Sequence, residues 1–273
     1  MKEVTINTKY KDSVFRMLFN SKEELLSLYN AVNGTHYDNA EDLEINTLEE
    51  GVFLNMKNDV SFVFRFELNL YEHQSTKCGN MSLRFLYYVS DLLAGMVVQK
   101  DLYGSKNLKI PVPRFVVFYN GSDKLEDISY EKLSNHFIKE VETPELELIV
   151  TVINVNENHN PEIMNACKTL KAYSIFVGKI RRYVKNMSIE EAADKAIDEC
   201  IREDVLADFL RKNKAEVCRM SVLEYNEELH LKTVHSEGYE EGYDAAKAEA
   251  NKIIAEKDAR IAELEALLAE KNS

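Results

Sequence analysis

The sequence has no long apolar run, no cysteine pair at CxxC spacing, no histidine pair at HxxxH spacing and no excess of basic residues. The longest greasy stretch, Phe85 to Val98, is interrupted by Ser90 and Asp91, so nothing in it is expected to cross a membrane. The opening residues MKEVTINTKYKD carry no apolar segment of the signal-peptide kind. With Cys78, Cys167, Cys200 and Cys218 far apart, a reduced, cytoplasmic protein is expected. None of the six histidines stands beside a cysteine, which argues against zinc and leaves a divalent ion held by oxygen open. A hydrophobic content of 45% excludes disorder throughout the 273 residues and is ample for a buried core.

Lys and Arg total 34 against 47 Asp and Glu, for a net charge of −13, which disfavours an indiscriminate nucleic-acid binder. The excess is unevenly placed. Residues 1–190 hold 22 basic and 26 acidic groups, and residues 191–273 hold 12 and 21, so most of the surplus negative charge belongs to the tail.

Apolar residues recur near helical spacing over 11–33, and Asn33-Gly34 closes that stretch. Ser21-Lys22-Glu23-Glu24 is a capping box inside it, which predicts a break and two short helices. Between Gly51 and Thr76 the pattern turns to strands: GVFLNM, DVSFVF and LNLYEHQS. Ser82 to Val98 reads as helix, Arg114 to Tyr119 as a strand stopped by Asn120-Gly121, and Glu147 to Val155 as another strand. Asn160-Pro161-Glu162 is a helix start, with the helix running to about Val184. This order predicts a mixed α/β fold, a central sheet covered by helices on both faces.

Beyond Met187 no strand signal remains. Ser188-Ile189-Glu190-Glu191 is a second capping box, opening helices to about Leu223. The division expected is a core over 1–187, a helical extension over 188–236 and an acidic helical tail over 237–273. In that tail Ile254, Ile261 and Leu268 share one heptad position and Ala250 and Leu264 the other, which Lys257 and Lys271 interrupt. A coiled coil, with self-association through the tail, and a solvated helix fit this pattern equally.

The informative region is the pair DVSFVF and LNLYEHQS. A hairpin centred between Arg65 and Phe66 sets Asp59 directly opposite Glu72 on one face, with Gln74 two residues further along it. Adjacent carboxylates repel unless a proton or cation lies between them. A hard divalent ion answers that need, and magnesium binds through one or two carboxylates while keeping water and phosphate in its shell. Gln74 is able to orient a water but not to take its proton. The competing reading is two acids at a solvated strand end, against which the apolar flanks of Glu72 predict burial.

The run MKNDVSF, followed by NLYEHQST, LRFLYYVSDL, LYGSKNLKIPVPRFVVFYNG and AIDECI, resembles the recombination-promoting nuclease, or transposase-like, family of the PD-(D/E)XK superfamily, over most of residues 10–230. The resemblance implies a restriction-endonuclease-like core, magnesium-dependent cleavage of double-stranded DNA and a link to recombination or transposition. By position it implies that Asp59 and Glu72 are the metal-binding acids, that the backbone carbonyl of His73 joins the metal shell, and that Gln74 stands where the superfamily usually has lysine.

Lys57 and Lys77 flank the motif strands, and Glu24 and Asp12 are acids of the first helix. The lysines are candidates for the positive charge that Gln74 lacks, with ordinary surface lysines the favoured reading. The resemblance implies a further acid from the first helix, for which Glu24 and Asp12 are the candidates although a capping role accounts for each. For DNA contact the core offers Lys179, Arg181, Arg182 and Lys185 near a helix end, and Lys100, Lys106, Lys109 and Arg114 before a strand. The helix dipole favours such basic groups as well. The side chain of His73, alternating with Glu72, is expected on the opposite face as a packed or hydrogen-bonded histidine. A catalytically silent DNA-binding or transposon accessory protein is the alternative function.

Overall fold

A computed structural model describes residues 13–46 and 59–226, together with isolated positions between 233 and 257. The chain forms two compact units, Met1–Tyr225 and Asn226–Ser273. In the second, the described positions are helical, and the heptad residues Ile261, Leu264 and Leu268 lie outside them.

The first helical stretch breaks where the capping box stands. Helix α1 (Val14–Leu18) ends at Phe19, and Ser21 caps α2 (Lys22–Asn33) by accepting the Glu24 N–H at 3.3 Å. Gly34, at φ 62°, closes α2 in the left-handed conformation that glycine adopts without steric cost.

Strands β1 (Leu43–Ile45), β2 (Val60–Phe64) and β3 (Glu67–Gln74) follow, then helix α3 (Met81–Met96). Next come β4 (Val112–Tyr119), β5 (Ile128–Lys132) and β6 (Ile149–Asn154). The six strands make one mixed sheet in the order β1-β2-β3-β4-β6-β5. Neighbours β3/β4 and β4/β6 run parallel and the other pairs antiparallel. Strands β1 and β5 were not legible in the sequence because both are edge strands: β1 buries one residue of three and β5 buries none. The predicted strand GVFLNM falls outside the described residues.

The helix expected from Pro161 to Val184 is two helices, α4 (Pro161–Ala166) and α5 (Lys168–Tyr183). Between them Cys167 is extended and fully buried, turned into the core instead of continuing the helix. Asn160 does precede the helix, yet its side chain makes no cap bond. The side-chain amide donates instead to the carbonyls of Asp127 (2.6 Å) and Asn154 (2.9 Å), so tertiary partners displace the local cap. Helix α6 (Ile189–Arg202) starts on a complete capping box, Ser188 with Glu191, as the sequence predicts, and residues 207–226 form a further helix, α7.

Alternation along the strands sends side chains to two cores. On one face Phe62, Phe64, Tyr71, Phe118 and Ile153 pack with helices α1, α2 and α4 through α7. On the other, Leu68, Leu70, Val117 and Val152 pack with Met81, Phe85 and Tyr88 of α3. Ala193, Ala196, Ile197, Leu210 and Val217 belong to the first cluster, so the helices beyond residue 188 share the core of the sheet.

One network ties this sheet to α2. The Tyr29 hydroxyl donates to Glu67 at 2.8 Å, and Glu67 in turn accepts from Arg114 of β4 at 2.9 Å. Burial, then this bond, pushes the Tyr29 hydroxyl up to about 12. Because the folded-state value lies above the unfolded one, the bond's contribution is complete below about pH 10 and is lost as pH rises through about 12. Tyr29→Phe will therefore lower unfolding free energy by about 1 kcal/mol at neutral pH. Urea titrations at rising pH should show this gap closing on the alkaline side.

Candidate active site at the carboxyl ends of the parallel strands

The β2–β3 register runs from Val60↔Tyr71 to Phe64↔Glu67, around a two-residue turn at Arg65-Phe66, and is the register expected from the sequence. Arg65 supplies the positive φ of that turn (55°), and its guanidinium lies 4.1 Å from the centre of the Tyr37 ring. One step beyond Val60 the register sets Asp59 opposite Glu72. Gln74, Tyr119 and Asn154 are aligned across β3, β4 and β6 at their carboxyl ends, the edge at which open α/β sheets bind ligands. The chain leaves β4 there through Asn120 and Gly121. At Gly121 a Cβ would lie 2.3 Å from the carbonyl oxygen of Ser75, so only glycine fits this approach.

Glu72 is 3% exposed, in the middle of a sheet. Burial, and next the neighbouring Asp59 carboxyl, raise its pKa well above the ordinary carboxylate range, while Arg84 opposes the shift. Asp59, one residue beyond the paired register, is thus the acid that Glu72 faces. Asp59 Oδ2 accepts the backbone N–H of His73 at 2.7 Å, which pins the end of β2 to β3.

The side chain of Arg84 was not singled out in the sequence. Its Nη2 donates to Glu72 Oε1 at 3.2 Å and to the Tyr88 hydroxyl at 2.7 Å, and its Nε reaches the same hydroxyl at 3.1 Å. Burial disfavours the guanidinium charge, but Glu72 and Tyr88 outweigh it and hold the group protonated. Arg84 was detectable in principle as the one cation in the largely apolar run MSLRFLYYVSDLLAGM.

Gln74 shares the face of Glu72, and its Nε2 donates to Met81 Sδ at 2.6 Å. His73 points the other way, as alternation predicts. Its ring stacks on Phe15 at 5.2 Å between centroids, and its Nε2 pairs with the Tyr173 hydroxyl at 2.8 Å. That hydroxyl also accepts from Asn120 Nδ2 at 2.9 Å. Burial, followed by the charges of Glu224 and Asp59, raises the Tyr173 pKa well above its usual value. Arg181 joins this edge from α5, donating to the Asn120 carbonyl and, at 3.0 Å, to Asn156 Oδ1. Tyr173, Asn120 and Arg181 thus brace the back of the site, a role assembled across the fold from residues with no sequence motif in common.

The remaining sequence candidates are scattered. Lys179 is buried between Glu199 (3.2 Å) and Glu203 (2.8 Å), Arg182 pairs with Glu157 (2.6 Å) and Arg114 with Glu67 (2.8 Å), so these cations serve intramolecular partners. Lys185, Lys100, Lys106, Lys109 and Lys77 are exposed. Glu24 is the N3 residue of the α2 cap, whereas Lys57 and Asp12 lie outside the described residues. A cleft of about 750 Å³ opens at the other end of the hairpin, lined by Arg65, Phe66, Asp91 and Lys109 among others. Neither carboxylate lines it.

Among the described residues no group of three or more His, Cys, Asp and Glu side chains is arranged to hold a metal ion. The acid pair offers two carboxyls, a donor set of the kind magnesium takes, since that ion binds through one or two carboxylates and retains water. It does not suit a closed site of the zinc kind. Burial first, and then Asp59, favour the protonated form of Glu72 even with Arg84 in contact.

The hydroxyl of Tyr173 satisfies two partners at once, buried Asn120 and half-buried His73. Tyr173→Phe leaves Asn120 Nδ2 and His73 Nε2 without it and should cost about 1–3 kcal/mol in urea unfolding. His73→Phe should make the second substitution cheaper, a coupling that a double-mutant cycle measures directly.

Comparison with protein-family models, curated proteins and solved structures finds no match for this chain, so the functional reading rests on the residues and geometry described above.

Proposed function

We propose that the chain is a magnesium-dependent DNA endonuclease whose site is the Asp59–Glu72 pair. The observation that carries this reading is a buried carboxylate facing a second acid across a fixed register, with its pKa raised, at the carboxyl edge of the parallel strands. Asp59, Glu72 and the backbone carbonyl of His73 are the groups that would hold the ion. When bound, magnesium supplies an acidified water and neutralises charge on the phosphate oxygens.

The chain's own residues do the rest. Glu72 and Asp59 set the position of the cation from opposite strands, and Asp59 fixes its own carboxylate on the His73 N–H. Gln74, two residues along the same face, orients water by hydrogen bonding. A neutral amide takes no proton, so the water's proton leaves to solvent or to the substrate. The link to recombination or transposition, and the restriction-endonuclease-like form of the core, belong to the same proposal and are supported by the sequence motifs around Asp59, Glu72 and Arg84.

A second reading, a DNA-binding accessory protein without catalysis, draws on two contacts. The Gln74 amide is engaged with Met81 and Glu72 already has a guanidinium partner, so the acid pair is partly neutralised within the protein itself.

Supercoiled plasmid incubated with the protein and millimolar magnesium should be nicked, and Asp59→Ala should reduce the rate by at least about 100-fold. Equal nicking by the variant would remove the site assignment. Retained DNA binding, with no magnesium binding in a calorimetric titration, would favour the second reading.

A further inference from the structure

We propose that Arg84 is the residue of this site that contacts the substrate's phosphate, and that its ion pair with Glu72 holds it aimed there. The inference rests on the nuclease reading above and adds to it the positive charge that Gln74 does not carry.

Three features of the geometry converge on it. The first is position: the Arg84 side chain is 29% exposed while that of its partner Glu72 is 4% exposed, so the guanidinium forms the solvent side of the pair. An approaching anion meets the cation before it meets the acid. The second is the donor inventory. A guanidinium has five N–H donors in a planar fork. Here Nη2 and Nε serve Glu72 and Tyr88, whereas Nη1 has a thioether, Met81 Sδ at 3.4 Å, as its neighbour. A thioether is a weak acceptor, and a phosphate oxygen in its place forms a short, charge-assisted bond. The third is rigidity. Arg84 is gripped by Met81 one turn before it and by Tyr88 one turn after it on α3, with its ring-facing contact to Tyr88 at 5.7 Å. A preplaced cation stabilises developing charge without reorganising at the moment of reaction.

A purely structural role, in which Arg84 only neutralises buried Glu72, makes different predictions. The two are separated by comparing Glu72→Gln with the double variant Glu72→Gln/Arg84→Gln, in which both charges leave together and no buried carboxylate is stranded. Binding of a short fluorescent DNA duplex is followed by anisotropy in EDTA over a range of sodium chloride concentrations, a readout independent of metal and of cleavage. If Arg84 contacts phosphate, removing it lowers the slope of log affinity against log salt by about 0.9. Equal slopes, or no duplex binding by Glu72→Gln and wild type alike, would overturn the proposal.

Cleavage supplies the second arm. Arg84→Lys keeps the charge but loses the fork, so its salt slope should match wild type while its nicking rate falls on the order of 10-fold or more. A plasmid left intact by wild type would sink the nuclease reading by itself, and the slope comparison would still decide whether Arg84 meets phosphate.

Discussion

A carboxylate placed inside a sheet must be given positive charge or a proton, and Glu72 imposes that demand on everything around it. It sits opposite Asp59, which adds repulsion to the cost of burial. The fold answers from two directions. Arg84 reaches across from α3 to one oxygen of Glu72, and the His73 N–H holds Asp59. Burial and Asp59 together outweigh Arg84, so the Glu72 carboxyl is biased toward its protonated form. That bias sets this corner of the molecule apart from its many solvated acids.

The two faces of β3 divide the labour. His73 and Tyr71 look into the larger core, where Phe15, Phe118 and Tyr173 pack against them at centroid distances of 5.2 to 5.5 Å. Their contribution is rigidity: stacked and hydrogen-bonded rings leave the backbone of His73 little freedom. Glu72 and Gln74 look toward α3, where Met81, Arg84 and Tyr88 lie on one stripe of the helix. A one-residue slip of the register would exchange the two sets and place His73 beside Arg84. The turn at Arg65, held by Tyr37, and the Tyr29–Glu67–Arg114 network guard against such a slip at the other end of the hairpin.

Charge is local in this protein. Several basic groups of the core are paired inside it, Lys179 and Arg182 among them, and a net −13 opposes a broad electrostatic attraction to nucleic acid. On the proposed reading, substrate selection depends on short-range contacts at the acid pair and Arg84, not on steering by the whole surface.

Much of this was legible in the sequence because the responsible physics is local. The Ser21 side-chain cap and the Ser188 capping box start helices through bonds three residues long, and strand alternation combined with a turn at Arg65-Phe66 determines which residues face each other. Asp59 opposite Glu72 therefore follows from spacing, and so does the inward turn of His73. What spacing does not contain is partners from distant segments. Arg84 on Glu72, Tyr173 between His73 and Asn120, and Asn160 drawn to Asp127 instead of capping its own helix were decided by tertiary structure. The edge strands β1 and β5 belong with these, since their side chains are mostly solvated and only pairing with a neighbour makes them strands. Sequence determines a pattern where a bond is short-range or a period is set by backbone geometry, whereas a side chain's partner across the fold depends on which elements pack together, and that is a property of the whole chain.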